Sequence, residues 1–233
     1  PAQWTTGNAW NGKVTVAQDD VNLIAASLGS PTTLAVLLDA DDTVSVRRVG
    51  SAVDVKINGL VASGYQQTAS AITQIGVRGG FGDNVIDLSQ VTHADFPTIV
   101  GVTVLGNAGN DTVIGSEFDD FILGNSGEDN LAGGAGADTL DGGDGNDVVE
   151  GGAGNNDLSG GGGTDTLRVT GNSVLTITEV TASGGGTDTY TGFEQATLEA
   201  GAGNNRLDAS AANIPVTLLG GDGNDTLLGG QGN

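Results

Sequence analysis

The sequence has no cysteine and a single histidine, His93. Without cysteine the chain can form neither disulfides nor thiolate metal sites, and cysteine-based catalysis is excluded. One histidine leaves a zinc site short of ligands. No run of about 18 apolar residues could span a bilayer, and no basic start followed by an apolar core marks a signal peptide. Any metal site must therefore be built from oxygen.

Basic residues are also scarce, with 7 Lys and Arg against 29 Asp and Glu and a net charge of -22. This charge repels nucleic acid phosphates and anionic membrane surfaces, and it favours a cationic partner such as a metal ion. Residues 79–168 hold 16 of the acidic residues and one basic residue. We therefore expect no nucleic acid partner and no membrane insertion.

Glycine is abundant, and much of it lies in a nine-residue repeat. Seven units follow one another without a break over residues 106–168: GNAGNDTVI, GSEFDDFIL, GNSGEDNLA, GGAGADTLD, GGDGNDVVE, GGAGNNDLS and GGGGTDTLR. The sixth position is Asp in every unit except the sixth, which has Asn156. The eighth position is always a large apolar residue: Val113, Ile122, Leu131, Leu140, Val149, Leu158 and Leu167.

These units fit the pattern GGxGxDxUx, in which U is a large apolar residue. The chain thereby resembles the RTX (repeats in toxin), or haemolysin-type, calcium-binding nonapeptide family of secreted bacterial proteins. The resemblance implies an all-β fold, a right-handed parallel β-helix or β-roll solenoid with calcium in its glycine-rich turns. Glycine permits the backbone angles of such turns, and the residues around U form a short strand with U pointing inward.

Two repeats then make one coil, and repeats of equal parity stack at roughly 4.8 Å, the spacing of paired strands. We call the two stacks the odd and the even edge, after the repeat number. The odd edge carries Asp111, Asp129, Asp147 and Asp165, and the even edge carries Asp120, Asp138 and Asn156. Carboxylates about 5 Å apart repel by roughly 1 kcal/mol in water and about 3 kcal/mol at a dielectric constant of 20. A hard cation between them reverses the sign. Calcium suits such a ladder because it accepts six to eight oxygens at variable angles, whereas magnesium demands a tight octahedron.

The resemblance also implies the ligands. Each ion would lie between a turn, which gives its Asp and the carbonyls of positions 2 and 4, and the turn two repeats later, which gives its Asp and the carbonyls of positions 1 and 3. Three odd-edge sites follow: Asn107, Gly109 and Asp111 with Gly124, Ser126 and Asp129; Asn125, Gly127 and Asp129 with Gly142, Asp144 and Asp147; Gly143, Gly145 and Asp147 with Gly160, Gly162 and Asp165.

The even edge departs from the pattern. Its best site joins Gly134, Gly136 and Asp138 to Gly151, Ala153 and Asn156, where the neutral amide predicts weaker binding. A second site would join Asp120 to Gly133, Ala135 and Asp138, but the turn before Asp120 lacks the family's glycines. We expect about five calcium ions in this block, and a further ligand at Asp225. Asp129 and Asp147, each shared by two ions, should matter more than Asp165.

Outside the block the sequence suggests a larger repeat. Residues 79–89 match 200–210, residues 102–115 match 216–229, and Asp42-Thr43-Val44 matches Asp165-Thr166-Leu167. We divide the chain into a strand-rich spacer or cap (1–78), a nonapeptide β-roll (79–168), a second strand-rich spacer (169–199) and the start of a second nonapeptide block (200–233), and we interpret it as part of a longer protein. Alternating β-branched residues favour strands in the spacers, and one continuous parallel β-helix accounts for the whole chain.

The function implied is a calcium-binding structural module of a large secreted or cell-surface bacterial protein, exported unfolded by a type I system and folding in external calcium. One alternative is a surface adhesin or surface-layer element that contacts neighbouring copies or a cell-surface glycan. Trp4 and Trp10 could stack on a sugar, although we favour packing as a cap. The other alternative is an accessory module of a polysaccharide-active enzyme. We expect no enzyme in this segment, since HExxH and GxSxG are absent and His93 has no partner at a telling spacing.

Overall fold

The structure is a computed structural model that describes residues 15–16, 23–26, 33–38, 41–61, 68–172, 174–178, 181–183 and 186–230. Nearly all of the regular structure is β-strand, and one 3₁₀ turn, Ala69–Ala71, interrupts it. None of the helical structure in these ranges is long and apolar enough to cross a bilayer. The proposed caps Trp4 and Trp10 lie outside the described residues.

The described residues contain 23 strands. In chain order they are β1 (Thr15–Val16), β2 (Leu23–Ala26), β3 (Thr33–Leu37), β4 (Thr43–Val49), β5 (Ala52–Ile57), β6 (Leu60–Val61), β7 (Gln74–Arg78), β8 (Val85–Asp87), β9 (Gly101–Ala108), β10 (Thr112–Ile114), β11 (Asp120–Ser126), β12 (Asn130–Ala135), β13 (Thr139–Asp144), β14 (Val148–Ala153), β15 (Asp157–Gly162), β16 (Thr166–Gly171), β17 (Val174–Ile177), β18 (Thr181–Ser183), β19 (Asp188–Thr191), β20 (Gln195–Ala200), β21 (Arg206–Asp208), β22 (Val216–Leu219) and β23 (Thr226–Leu228).

The strands form two long sheets, and the nonapeptide block alternates between them. One sheet has the order β1-β2-β3-β7-β9-β11-β13-β15-β19-β18-β17-β21-β23, and the other has the order β22-β20-β16-β14-β12-β10-β8-β4-β5-β6. All pairs from β9 to β16 are parallel, and Leu131 faces Val113 on one side and Val149 on the other. One coil is therefore two repeats, which confirms the predicted stacking and the parallel β-roll.

The core of the block is a file of the eighth-position side chains. All seven, from Val113 to Leu167, are at most 1% exposed. Successive side chains of a strand point to opposite faces of the sheet, so each eighth-position side chain points into the coil while its two neighbours point away from it. Burying one such side chain contributes about 1.5 to 3 kcal/mol. One per nine residues is a small core for the length of chain that it orders.

The spacers depart from the continuous parallel coil that the sequence suggested. β1, β2 and β3 pair antiparallel, as do β4, β5 and β6, and so do β17, β18 and β19. The turn between β5 and β6 is Asn58-Gly59, with φ of 51° and 77°. Two positive φ angles characterise the two-residue turn that closes a tight hairpin. The fold class is confirmed, but continuity of the parallel coil through the spacers was a wrong expectation.

Strand pairing also corrects one part of the larger repeat. The matches of 79–89 with 200–210 and of 102–115 with 216–229 agree with the register, because β8 pairs with β10 as β21 pairs with β23. The third match is wrong by one strand. Thr33 pairs with Gln74 as Thr166 pairs with Gln195, so the counterpart of Thr166 is Thr33 and not Thr43.

Candidate metal sites at the turn ladders

The sixth-position carboxylates stack along the odd edge and are tied together by the backbone. The amide of Asp111 donates to Oδ1 of Asp129 at 2.7 Å, and Asp129 and Asp147 donate in the same way to the next Asp at 2.8 Å. On the even edge, Asp120 donates to Asp138, and Asp138 donates to Oδ1 of Asn156, both at 2.9 Å. We call each sixth-position side chain of a stack a rung, and two successive rungs of one edge a step. One carboxylate oxygen of each inner rung thus accepts a hydrogen bond from the previous coil.

A second ladder runs in the opposite direction at the fifth position. Oδ1 of Asn110 accepts from the amide of Glu128 at 2.7 Å, and Oδ1 of Asn146 accepts from the amide of Thr164 at 2.9 Å. Asp119 makes the same contact on the even edge. Sequence reasoning assigned no role to this position. The signal was the frequency of Asn and Asp there, whose short side chains reach backbone amides in turns.

The other carboxylate oxygen has no protein partner. Oδ2 is buried and makes no hydrogen bond in five rungs: Asp111, Asp129, Asp138, Asp147 and Asp165. All five residues are at most 2% exposed. A buried carboxylate oxygen without a donor or cation is costly, so this regular set of unpaired atoms needs an explanation.

Each unpaired Oδ2 on these rungs faces a backbone carbonyl of the next coil. A methyl group placed on Gly124 would lie 2.2 Å from Oδ2 of Asp129 and 2.5 Å from the carbonyl oxygen of Gly142. The corresponding distances for a methyl group on Gly133 are 2.4 Å to Asp138 Oδ2 and 2.6 Å to the oxygen of Gly151. First-position glycine is therefore required by space, and a carboxylate oxygen and a carbonyl oxygen both lie beside it.

The carbonyls of positions 2 and 4 point along the stack as well. A methyl group on Gly143 would meet the oxygen of Asn125 at 2.1 Å, and one on Gly127 would meet the oxygen of Gly109 at 1.9 Å. The carbonyls of position 3 differ, because each already accepts a hydrogen bond from the fourth-position amide one coil earlier. These acceptors are Ser126, Asp144, Ala153 and Gly162, at 2.8 to 3.0 Å. The carbonyls of positions 2 and 4 thus point toward the next coil, and the carbonyl of position 3 keeps only one lone pair free.

The electrostatics of the ladder oppose ionisation. The pKa of Asp129 and of Asp138 is raised to about 7, chiefly by burial and also by the charges of neighbouring acidic residues, although a backbone hydrogen bond to each carboxylate lowers it. Burial also raises the pKa of Asp111, Asp147 and Asp165. A cation beside Oδ2 would reverse this effect because it stabilises the charged form.

This donor set fits calcium. The described residues contain no cluster of three or more His, Cys, Asp or Glu side chains that could hold a metal by themselves. What the turns offer instead is pairs of carboxylates with several backbone carbonyls, the all-oxygen combination that calcium takes.

Comparison with protein families agrees with this geometry. The RTX calcium-binding nonapeptide repeat matches the chain in four copies, over residues 105–140, 133–167, 196–213 and 216–233. The chain carries RTX calcium-binding repeats. A comparison with curated proteins finds no match. The recognition of RTX calcium-binding repeats from the nonapeptides is thus confirmed for these residues.

Asp120 is the RTX rung that differs most from the others. Its Oδ2 accepts from the amide of Ser116 at 2.6 Å and its Oδ1 from the hydroxyl of Ser116 at 2.7 Å. Burial nevertheless raises the pKa of Asp120 to about 6. Because Ser116 occupies both oxygens, this rung lacks the unpaired atom that marks the other steps.

The even edge continues to a rung that sequence reasoning missed. Both the amide and Nδ2 of Asn156 donate to Oδ1 of Asp188, at 3.0 and 2.8 Å. The signal was present, since GGGTDTY at 184–190 repeats GGGTDTL at 161–167. It falls out of frame with the seven units because an insertion separates them.

Two further sixth positions carry asparagine in place of aspartate, one before Asp111 and one in the second RTX block. The backbone N–H of Asn84 donates to Oδ1 of Asp111 at 2.8 Å, and its side-chain Nδ2 donates to the carbonyl of Gly82 at 2.7 Å. In the second RTX block, Asn205 donates its amide to Asp225 at 2.8 Å and its Nδ2 to Gly201 at 3.0 Å. The side-chain nitrogen of these asparagines takes the place of Oδ2 and donates a hydrogen bond to a carbonyl of the turn.

Proposed function

We propose that this segment is a calcium-triggered folding module of a large bacterial protein that acts outside the cell. The observation that carries the proposal is the set of buried Oδ2 atoms without partners, which recurs at the same place in successive coils. A fold with this many uncompensated carboxylates is poorly stable until a cation fills the turns. Calcium is then part of the folded structure.

Within the seven nonapeptides, we assign one ion to each step whose earlier rung has an unpaired Oδ2. On the odd edge these are the steps from Asp111 to Asp129, from Asp129 to Asp147 and from Asp147 to Asp165. On the even edge it is the step from Asp138 to Asn156, whose Oδ1 stands where the other rungs have a carboxylate oxygen. The step from Asp120 to Asp138 holds no ion in this proposal, because Ser116 satisfies Asp120.

The energy of these sites is sufficient to switch folding. A site with a dissociation constant of about 0.1 mM in millimolar calcium stabilises the folded state by roughly 1.4 kcal/mol. Four such steps give about 6 kcal/mol, which is comparable with the whole stability of a small domain. Since inner rungs belong to two steps, binding at one step orders a ligand of the next.

Folding only in external calcium supports secretion as an unfolded chain, and the RTX repeats favour a type I system for that export. We further propose a structural and non-catalytic role for the segment itself. Each inner acidic side chain of its ladders uses one oxygen to hold a neighbouring coil. The groove along β11, β13 and β15 is lined mainly by small or polar residues, and its only acidic side chains are Asp141 and Asp144.

Circular dichroism tests the proposal. We expect the far-UV spectrum of the segment to show little β structure in chelator, a cooperative gain with calcium, and no comparable gain with magnesium. A β spectrum in chelator that calcium leaves unchanged would contradict calcium-triggered folding. Asp141→Asn removes a charge of the same block outside the ladders, and this control variant should retain the response.

A further inference from the structure

The odd edge does not end at Asp165. The amide of Asp165 donates to Oε2 of Glu194 at 2.8 Å, across a separation of 29 residues. Glu194 lies in the short turn Gly192-Phe193-Glu194, which connects β19 to β20. It therefore occupies the place that the next Asp would hold if the nonapeptides continued.

The step from Asp165 to Glu194 has the three features of the inner steps. A carboxylate oxygen of the later turn accepts the amide of the earlier rung. Asp165 is fully buried, and its Oδ2 has no partner. A methyl group on Gly160 would lie 2.1 Å from the carbonyl oxygen of Gly192 and 2.8 Å from Oδ2 of Asp165. The same two kinds of atom, from Gly142 and Asp129, lie close to a methyl group on Gly124.

The step also differs from the inner ones. Thr191 is the counterpart of the ninth-position Ser159, and only Gly192 and Phe193 lie between it and Glu194. An inner turn has five residues at this place, so the later turn lacks the counterpart of the third-position carbonyl. Glutamate reaches over the shorter turn by its additional methylene, and Glu194 is exposed to solvent. A cation here would keep more water than a cation between two nonapeptide turns.

We propose that Asp165, Glu194 and the carbonyl of Gly192 form a further calcium site at the end of the odd edge. The inference rests on the proposed function, because it extends the same chemistry to a turn outside the nonapeptide matches. It also changes one expectation from the sequence. Asp165 is shared by two ions, as Asp129 is, whereas Asp111 serves only one, since Asn84 before it forms a hydrogen-bonded step.

The test is a count of bound calcium by native mass spectrometry and isothermal titration calorimetry on the whole segment. Glu194→Gln keeps an oxygen for the amide of Asp165 and removes the charge. We expect it to lose one ion, or to bind that ion at least about tenfold more weakly. Glu128→Gln is the matched control, because Glu128 is an exposed acid of the same edge outside the sixth position, and it should keep every ion.

A second pair of variants is independent of Glu194. Asp165→Asn should lose the ion shared with Glu194 and weaken the ion shared with Asp147, since an asparagine at the later rung still offers an oxygen, as Asn156 does. Asp111→Asn should lose one ion and leave the others unchanged. Equal ion numbers and affinities in wild type and Glu194→Gln, or the same loss from both Asp variants, would overturn the terminal site while leaving the inner sites standing. Absence of calcium binding by the wild-type segment would instead refute the proposed function.

Discussion

Replacing Asp129 by asparagine should have opposite effects with and without calcium. Asp129 is 2% exposed, its Oδ1 holds the amide of Asp111, and its Oδ2 has no partner. Asparagine has the same shape as aspartate, and the chain already has it at the sixth position in Asn84 and Asn205, where Nδ2 donates to a carbonyl of the turn. We therefore expect Asp129→Asn to fold, and to fold more readily than wild type in chelator.

The magnitude follows from the ionisation of Asp129. Burial raises its pKa from 3.8 to about 7, and each pKa unit corresponds to about 1.4 kcal/mol. The charged carboxylate thus costs the metal-free fold at most about 4 kcal/mol at about pH 8, and the neutral amide removes that cost. In calcium, the two ions beside Asp129 are lost or weakened. At about 1.4 kcal/mol each, the stabilisation gained from calcium should fall by about 3 kcal/mol.

The assay is thermal unfolding followed by circular dichroism, in chelator and in saturating calcium. Trimethylamine N-oxide brings the metal-free proteins into the measurable range, because excluded osmolytes favour the compact state. Asp141→Asn serves as the control for charge alone. A variant that is less stable than wild type in chelator, or that keeps the full calcium increment, would refute the assignment of Asp129 to two ion sites.

Two further predictions concern acid and the turn glycines. The folded-state pKa of Asp129 and of Asp138 is about 7, above the ordinary 3.8, so between these values the metal-free fold binds more protons than the unfolded chain and gains stability as pH falls. In chelator, a pH titration by circular dichroism should therefore show β structure increasing from about pH 8 to about pH 5, and loss of structure over this range would contradict the buried ladder. Gly145→Ala should cost more than about 3 kcal/mol in urea unfolding with calcium present, since φ is 143° and a methyl group would lie 1.9 Å from the oxygen of Gly127. The neighbouring Gly162→Ala is the control, because its closest contact would be 3.5 Å, and equal costs would show that the turn geometry is not limiting.

Much of the candidate site could be read from the nonapeptides. Their period sets which side chain is buried, as with Leu131 between Val113 and Val149, and it places Asp111, Asp129, Asp147 and Asp165 in one stack. These features are local and repeat in every unit, so a pattern of nine residues contains them. The hairpin turn Asn58-Gly59 was equally local, and an Asn-Gly pair between apolar runs indicates such a turn.

Other features depend on residues far apart in the chain. Glu194 became a rung because β19 and β20 bring its short turn beneath Asp165. Asp188 became one because β17 and β18, which precede it, pair antiparallel within the same sheet and bring β19 beside β15. Neither residue is in frame with the seven units, so periodicity alone gave no reason to place them in the stack.

The sequence by itself determined the coil of two repeats, its buried file, its glycine turns and its oxygen ligands, because each is encoded within nine or eighteen residues. Only the tertiary structure decided which carboxylate oxygens are left without a partner. Asp120 and Asp129 are the same residue type at the same position, yet Ser116 satisfies the first and nothing in the protein satisfies Oδ2 of the second. Whether a buried oxygen needs a cation depends on the donors around it in space, and those donors come from neighbouring coils and turns.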